Sequence, residues 1–493
     1  MNQVDHSSSQ HHTQVCRIND LPYDVFYRLI LICWNDAEND FRQKGIHPPT
    51  TASHVCRLWR QHAINTPLFW AKLTFQSKIP QLEKYKEWLI RLRGAPFDVR
   101  IGGEPFTSAS IKHAKVIMQL VMSHISRLRL FQVLYVPKKI LRLIFDCLSD
   151  ANAPLLQTLQ VDMSEINNRS FSSPQKQWEP RPFHRGEVPN LQKIQLDTMH
   201  YGYSLDRFGE TLSTFMITPR MTLVPSHEHI KFVQEVLLQA PNLRVFGYSP
   251  TWSRPFDLGF QEMQAFQNPL LLPITHSSLE ELYISGKRED VDVILCSLRL
   301  PRVRYIADGS GVEPILGLCC LQAIALGTFP SLISLHLGGS IDPFTRRPYT
   351  RDPLNSPNLA HLLHALRRLP ELRALTFHQV DFEDKQYLLE CLGKAGCCPK
   401  LGWLNLRQSV GYTMQELREV VEARQQPKGA YPQVQIRTRE WPIREDSSQG
   451  DVEAREWLGQ AGFLREARFE DEQRGHYLRS VEGVSQDVFG WTT

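Results

Sequence analysis

Several features that would place this chain in a special class of proteins are missing from it. No run of about 18 apolar residues occurs, so no membrane-spanning helix is expected. The N-terminal stretch MNQVDHSSSQHHTQV is polar and lacks the apolar centre of a secretory signal. The net charge is only +4 over 493 residues, which argues against a nucleic-acid surface built from bulk charge. These absences predict a cytoplasmic or nuclear protein that binds neither membrane nor nucleic acid.

Motifs for catalysis and metal binding are absent too. The ten cysteines are scattered and never form a C-x-x-C pair, so we predict neither a disulfide scaffold nor a zinc site. The stretch Asp308-Gly309-Ser310-Gly311 fits neither a nucleophile elbow nor a phosphate-binding loop, and we interpret it as a turn. We therefore expect a protein that is not an enzyme and that holds no cofactor and no metal.

The composition and length fit a soluble globular protein with a small and a large domain. Of its 493 residues, 42% are hydrophobic and 22% are charged, so disorder cannot dominate. We predict a flexible leader over 1–17 and a small helical unit over 18–75. A linker helix with a first strand should follow over 76–109, then a repeat domain over 110–439. Residues 440–493, with twelve Asp or Glu against six Arg, should form an acidic C-terminal cap or tail.

Residues 18–75 contain three short helical patterns. The first begins at Leu21-Pro22, because proline in a first turn costs no helical hydrogen bond, and it continues to Cys33. The second should place five residues on one face: Ala52, Val55, Cys56, Trp59 and Ala63. In the third, Thr66 is the expected cap and Pro67 the first helical residue. Units below about 70 residues rarely gain more than about 3–5 kcal/mol from their own core, so this apolar surplus predicts a partner.

Three sequence motifs in this stretch occur together and in order near the N-terminus. They are Leu21-Pro22, Val55-Cys56-Arg57-Leu58-Trp59 and Thr66-Pro67-Leu68-Phe69-Trp70. Together they resemble the F-box. The polar spacer between Trp34 and Ala52 resembles the expanded loop of fungal F-box proteins, and we interpret it as a solvated insertion. A helical cap on a repeat domain is the alternative.

The resemblance implies that residues 18–75 bind the Skp-type adaptor of a cullin-RING ubiquitin ligase. It places six residues at or just beneath the adaptor interface: Leu21, Pro22, Leu29, Val55, Cys56 and Trp59. Trp59 and Trp70 could instead form the core of the small unit.

From residue 110 onward the apolar pattern LxxLxL recurs eight times behind helical segments. Its copies are Ile125-Leu128-Leu130, Leu156-Leu159-Val161, Leu191-Ile194-Leu196, Leu243-Phe246-Tyr248, Leu279-Leu282-Ile284, Leu332-Leu335-Leu337, Leu372-Leu375-Phe377 and Leu401-Leu404-Leu406. This repeated helix-strand unit resembles a leucine-rich repeat, which implies an α/β solenoid with a parallel sheet inside and helices outside. The spacing of 29 to 53 residues exceeds the usual ~20–29, so the solenoid should be irregular. The longest gap is predicted to hide a further unit at 300–306.

The residues between the apolar positions of each pattern should point away from the core. On that face we favour five residues as contacts to a protein substrate: Tyr283, His336, His378, Trp403 and Arg407. An ordinary wetted sheet surface is the alternative, and the long polar segments 165–188, 250–276 and 340–357 compete as contact loops. The sequence thus predicts the substrate-recognition subunit of a cullin-RING ligase that binds the adaptor, the cullin and an unknown protein. A repeat scaffold without ligase function is the alternative.

Overall fold

A computed structural model of the chain gives its fold. The structure describes residues 21–39, 47–75, 81–102, 110–134, 136–162, 182–183, 185–197, 209–218, 220–221, 226–248, 251–252, 274–284, 294–295, 297–307, 329–338, 364, 366–378, 386–394, 396–406, 409, 411–425, 433–439 and 448–467. Within these ranges no helix combines the length and apolar character needed to cross a bilayer.

The described residues form ten α-helices, two 3₁₀ turns and eighteen strands. The helices are α1 (Tyr23–Asn39), α2 (Pro48–Ala52), α3 (Arg57–Asn65), α4 (Leu82–Arg91), α5 (Ser110–Met122), α6 (Lys138–Leu148), α7 (Ser226–Gln239), α8 (Gln386–Gly393), α9 (Met414–Arg424) and α10 (Gln449–Gln460), with 3₁₀ turns at Pro67–Trp70 and Ile125–Arg127. The strands are β1 (Lys72–Phe75), β2 (Phe97–Gly102), β3 (Leu128–Leu134), β4 (Thr158–Asp162), β5 (Lys193–Asp197), β6 (Thr214–Thr218), β7 (Arg220–Met221), β8 (Val245–Tyr248), β9 (Thr251–Trp252), β10 (Ile274–Thr275), β11 (Glu281–Ile284), β12 (Leu298–Arg299), β13 (Tyr305–Ala307), β14 (Ser334–Gly338), β15 (Ala374–His378), β16 (Trp403–Asn405), β17 (Gln435–Arg439) and β18 (Leu464–Ala467).

Fourteen of these strands form one sheet in the order of the sequence, β1-β2-β3-β4-β5-β6-β8-β11-β13-β14-β15-β16-β17-β18. Two short pairs, β7 with β9 and β10 with β12, lie beside it. Every strand pair in the described part of the chain is parallel. A long parallel sheet needs a crossover between successive strands, and here helices supply several of them. The predicted α/β fold class with a solenoid-like repeat is confirmed.

The core lies between the sheet and the helices. The second apolar position of each pattern points into it, as Leu159, Leu282 and Leu335 show by being fully buried. Neighbouring helices also pack side by side, α5 on α6 and α9 on both α8 and α10. Each unit therefore buries its apolar side against the next one, which is the principle of a stacked repeat.

Two units lie in the long gaps between copies of the pattern. The predicted unit at 300–306 is present as β13, with Val303 and Ile306 buried. A second unit, β6, was missed. Its apolar positions, Leu212, Phe215 and Ile217, are all buried and follow the same spacing. The signal was present in the sequence, because Leu212, Phe215 and Ile217 repeat the spacing of Leu243, Phe246 and Tyr248.

The first copy of the pattern was placed three residues too early. Ile125 and Leu130 are only half-buried. The copy that lies in the core is Leu128-Phe131-Val133, in which Phe131 and Val133 pair with Leu159 and Val161 of β4. A register shift in the pairing with β2 lies opposite Phe97 and Asp98.

At the other end of the array, α10 and β18 form one more helix-strand unit, and β18 pairs with β17 in parallel. Residues 448–467 therefore extend the sheet. The predicted tail from residue 470 lies outside the described residues.

The N-terminal unit differs from its prediction in four places. Helix α1 continues to Asn39, into the predicted polar spacer. The second pattern is two helices, because the chain turns after Ala52 and restarts with Cys56 as the N-cap of α3. Val55 lies in that turn and is exposed, so it does not share the buried face of Ala52.

The third pattern is a 3₁₀ turn and not an α-helix. The Thr66 hydroxyl donates back to the His62 carbonyl, so the Thr66 side chain does not cap the turn that follows it. The last difference concerns the sheet, which begins within this unit, at β1.

Candidate functional site

The N-terminal helices pack around aromatic side chains that begin the continuous hydrophobic core of the chain. The Phe26 ring packs edge-on against Trp59 with 5.1 Å between centroids, and Tyr27 stacks on Phe69 at 5.4 Å. The indole N–H of Trp70 donates to the Ala63 carbonyl at 2.9 Å, so its polar atom is satisfied although the ring is fully buried. This core therefore needs no partner to cover it.

Many apolar side chains of the same unit nevertheless remain outside that core. Seven of the eleven exposed large apolar side chains in the described chain belong to this unit, and we call them the N-terminal apolar surface: Tyr23, Val25, Leu29, Ile32, Val55, Leu58 and Leu68. Val25, Leu29 and Ile32 are spaced four and three residues apart, which aligns them along one stripe of α1. Ile32 is 62% exposed, and Val55 and Leu68 are 52% exposed each. Such a concentration of exposed apolar side chains is typical of a docking surface.

The six predicted adaptor contacts fall into three classes of exposure. Pro22, Leu29 and Val55 are exposed. Leu21 and Cys56 are half-buried, and the Cys56 thiol accepts the Trp59 backbone N–H at 3.4 Å as the helix cap. Trp59 is only 7% exposed and belongs to the core.

Ile32, Leu58 and Leu68 of this surface are not among the six contacts that the sequence predicts. The helical period could have found Ile32, because it lies one turn beyond Leu29. Leu58 and Leu68 stand at the starts of a helix and a 3₁₀ turn, where periodicity gives no direction.

A second aromatic cluster joins the helical unit to the first repeat unit. The imidazole of His47 stacks on Trp88 at 3.9 Å, and Trp88 meets Trp70 edge-on at 5.6 Å. The Lys84 ammonium lies 4.7 Å from the Trp88 ring, and the Arg91 guanidinium lies 4.5 Å from the Trp70 ring. These contacts tie α2 and the 3₁₀ turn to α4, and so fix the N-terminal unit against the start of the sheet.

His47 has the most displaced histidine pKa in the described chain. Burial, and secondly the charge of Lys84, lower its pKa to about 3. The ring is therefore neutral at physiological pH, and its Nδ1 accepts the Thr50 backbone N–H at 3.2 Å as the N-cap of α2.

His47 predicts a loss of stability in mild acid. Because its folded pKa lies below the unfolded value near 6.5, the unfolded chain binds the proton first as the pH falls. The stabilisation is complete above about pH 6.5 and is lost progressively toward about pH 3. Between pH 7.5 and 5.5 the wild type should lose about 1 kcal/mol more unfolding free energy than H47N, whose amide keeps the cap without titrating. Urea midpoints of both proteins at the two pH values measure this difference in unfolding free energy.

Comparison with H47N also separates the effect of His47 from that of His276, whose pKa is likewise lowered by burial. Equal pH slopes would contradict the assignment.

The sheet face that points away from the helices carries two continuous cross-strand rows. One runs Lys72, Asp98, Leu130, Thr158, Lys193, Thr214, Val245, Glu281, Tyr305, Ser334, Ala374, Trp403 and Gln435. The other contains three glutamines in register, Gln132, Gln160 and Gln195, and the first donates its amide N–H to the second at 2.9 Å. We call this surface the second sheet face.

The middle of the second sheet face is aromatic and buried. The rings of Tyr283 and Tyr305 lie 5.2 Å apart, and each residue is only 5% exposed. The Tyr283 hydroxyl donates to Glu281 at 3.0 Å, while the Tyr305 hydroxyl lies 3.4 Å from Nε2 of His336. Burial raises the pKa of both tyrosines and of Glu281. Gly247 belongs to the same patch, since a Cβ there would lie 2.4 Å from the Met216 sulfur.

The structure brings together two of the five predicted substrate contacts. Tyr283 and His336 both contact Tyr305, although Tyr283 is buried. Trp403 is half-buried on the same face, further along the sheet. The His378 backbone ends β15, but its side chain and all of Arg407 lie outside the described residues. Residues 340–357 do so as well, with most of 165–188 and 250–276.

The cysteines near the C-terminal end show no sign of reactivity. Cys391, Cys397 and Cys398 are buried, and burial is the main cause that raises the pKa of each thiol. Raised thiol pKa values disfavour the thiolate that reacts or binds metal. Among the described residues, no group of three His, Cys, Asp or Glu is placed to hold a metal ion.

Comparison with known proteins gives little beyond this geometry. No protein-family model matches the chain, and no curated protein matches its sequence. A crystal structure of a protein from Bacteroides fragilis is similar to this chain, with 13% sequence identity and a TM-score of 0.29. The similarity covers 50% of this chain and 65% of the Bacteroides protein, which is just under two thirds of that protein's length. A likeness this distant carries no argument about fold or function.

Proposed function

We propose that this protein is the substrate-recognition subunit of a cullin-RING ubiquitin ligase. Residues 18–75 act as an F-box that docks a Skp-type adaptor, and the stacked repeat holds the protein to be modified. The chain itself catalyses no step. Its role is to fix the distance between the adaptor and the captured substrate.

The N-terminal apolar surface carries this proposal. The unit already has a closed aromatic core around Phe26, Trp59 and Phe69, so its exposed apolar side chains do not serve its own folding. Burying one large apolar side chain contributes roughly 1.5–3 kcal/mol, so several of them together supply the affinity of a stable complex. The resemblance of the motifs in residues 21–70 to the F-box favours a Skp-type adaptor as the partner.

Two further features support the proposal. The cluster of His47, Trp70 and Trp88 joins the docking unit rigidly to the sheet, as a ligase subunit requires. The sheet itself offers a long face on which another protein can lie, and repeat arrays commonly bind proteins in this way.

The test is a double substitution on the N-terminal apolar surface. L29D/V55D should reduce adaptor binding at least about 30-fold, because two apolar contacts become charges that lose their water on docking. Both side chains are exposed, so the unfolding midpoint should change little. Co-purification with purified adaptor and with an adaptor–cullin complex, together with a melting curve, measures both quantities.

V116D/L238D is the matched control. Val116 on α5 and Leu238 on α7 are 39% and 66% exposed and lie on the helices of the repeat. This variant should bind the adaptor as the wild type does. If L29D/V55D binds adaptor normally while melting unchanged, or if the wild type captures neither adaptor nor cullin, the ligase proposal is wrong and the chain is a repeat scaffold.

A further inference from the structure

Residues 105–145 contain seven lysines and arginines but no aspartate and no glutamate. The whole chain carries a net charge of +4, so this stretch is more positive than the protein as a whole, and the remainder of the chain is slightly negative. The stretch covers α5, β3 and most of α6. The positive charge of the protein is therefore concentrated at the beginning of the repeat.

The fold uses only some of these seven cations. Arg129 holds Asp98 through hydrogen bonds of 2.9 and 2.7 Å, and the Arg127 guanidinium lies 5.9 Å from the Phe97 ring. The side chain of Lys138 lies outside the described residues. The other four are exposed on two helices, and we call them the basic face: Lys112 and Lys115 on α5, Lys139 and Arg142 on α6.

The basic face is one patch, because α5 and α6 pack side by side. Packed helices lie about 8–10 Å apart, and residues three apart on one helix lie on the same side about 5–6 Å from each other. Burial, and then the charge of Asp146, raise the pKa of the Cys147 thiol on α6, and the charge of Lys115 opposes them. Lys115 on α5 therefore lies close to α6.

The acids at α6 leave most of this charge unbalanced. Asp146 on α6 lies 4.0 Å from Arg142, and both side chains are exposed, so the pair is weak. Asp150, just beyond α6, lies 4.0 Å from Arg185. In the described part of the chain, the three lysines of the basic face form no ion pair and no hydrogen bond.

The preceding helix does not supply the missing carboxylates either. Glu83 and Glu87 on α4 each pair with a cation of their own helix, Lys86 at 2.7 Å and Arg91 at 2.9 Å. Helix α5 contains no acid at all. Four cations thus stand against the single carboxylate of Asp146 on these two helices.

The positions of these cations oppose folding. Lys112 is the third residue of α5 and Lys139 the second residue of α6, and neither helix has an acid in its first turn. The N-terminus of a helix is the positive end of its dipole, so a cation there is unfavourable and an acid is favourable. Like charges on one side of a helix also repel each other. Cations that do not stabilise the fold and have no partner in it indicate a surface that binds another molecule.

We propose that the basic face binds an acidic segment of a partner protein. An excess of three positive charges, with Asp146 counted, matches a segment that offers three or more carboxylates. Lysine ammonium groups on flexible stems follow carboxylates without a fixed geometry. The inference goes beyond the proposed function, because it adds a second binding surface, on the repeat and outside residues 18–75.

The geometry favours a protein over a membrane or a nucleic acid. Helices that lie in a membrane surface insert several large apolar side chains, whereas among the described residues of α5 and α6 only Val116 is a large exposed apolar side chain. Single-stranded nucleic acids stack on exposed aromatic rings, and Phe145, the one phenylalanine, tyrosine or tryptophan of these two helices, is buried.

The experiment measures binding of a fluorescein-labelled octaglutamate peptide to the full chain by anisotropy, at low and at physiological ionic strength. Octaglutamate should bind, octaglutamine should not, and added salt should weaken the complex. K112E/K139E should lower the octaglutamate affinity at least about tenfold. Its melting temperature should stay the same or rise, because both glutamates stand in the first turn of a helix. Lost binding in this variant is therefore separable from unfolding.

R302E/R304E is the matched control. It makes the same charge change at two exposed arginines beside β13, which lies six strands and about 29 Å along the sheet from β3. This variant should alter the octaglutamate affinity less than about threefold. Equal losses in the two variants would reduce the effect to bulk charge and overturn the proposal. Absent octaglutamate binding, or wild-type binding by K112E/K139E, would overturn it as well.

A ten-nucleotide oligothymidylate and phosphatidylserine vesicles are the competing probes. If either binds more tightly than octaglutamate and K112E/K139E removes that binding, the basic face belongs to a nucleic acid or a membrane and the proposal is wrong. Adaptor binding does not enter these assays, so the basic face and the ligase proposal can fail separately.

Discussion

Replacing Leu335 by aspartate is expected to unfold the repeat array. Leu335 on β14 is fully buried in the core between the sheet and the helices, and its backbone pairs with β13 and β15 on both sides. The substitution removes a large apolar side chain, which alone costs about 2–5 kcal/mol, and adds a charge without a partner. We expect a loss above about 4 kcal/mol, seen as insoluble protein or as a melting temperature lowered by well over 5 °C.

Thr376→Asp is the matched control for this prediction. Thr376 lies on the neighbouring strand β15 but points to the second sheet face, where it is half-buried. The same charge should cost about 1 kcal/mol or less there, because water still reaches it. A soluble L335D protein with an unchanged melting temperature would mean that the repeated apolar pattern does not form core strands.

The second large effect is expected at Arg424, a buried cation at the end of α9. It is only 5% exposed, and its guanidinium donates to the carbonyls of Leu392, Cys397 and Cys398 at 2.9–3.1 Å. Cys398 has a positive φ of 42°, so the turn after α8 points its carbonyls inward toward this side chain. R424M keeps the length and the apolar stem but leaves three carbonyls without this donor. At about 1–3 kcal/mol for each unsatisfied group, the expected loss is at least 3 kcal/mol.

Two further variants show whether the hydrogen bonds at Arg424 cause that loss. R424K keeps the charge without the planar fork and should recover only part of the stability. R418M removes a more exposed arginine of the same helix, paired with Glu422 at 2.7 Å, and should cost at most about 1 kcal/mol. Urea denaturation of the three variants gives the values. An R424M protein as stable as R418M would show that the carbonyls find other donors.

The repeat was predictable because its signal is local and redundant. Each strand shows the same apolar spacing, so the misplaced copy at β3 and the missed strand β6 did not change the predicted architecture. The bulge beside Phe97 could not be predicted, since a register shift depends on the neighbouring strand. The same holds for Cys56, which looked like a residue on a helix face and is instead the cap that begins α3.

The sequence by itself determined the periodic part of this protein: parallel strands, helices between them and an apolar N-terminal unit, because alternation and helical period are written into neighbouring residues. Tertiary structure alone decided which of those apolar residues remain exposed. It made Trp59 part of the core and left Val55 in an exposed turn, since burial depends on residues distant in the chain. It also decided that Arg244, Arg304 and Arg373, 60 to 129 residues apart in sequence, share one edge of the sheet, because strand stacking brings equivalent positions of successive units side by side.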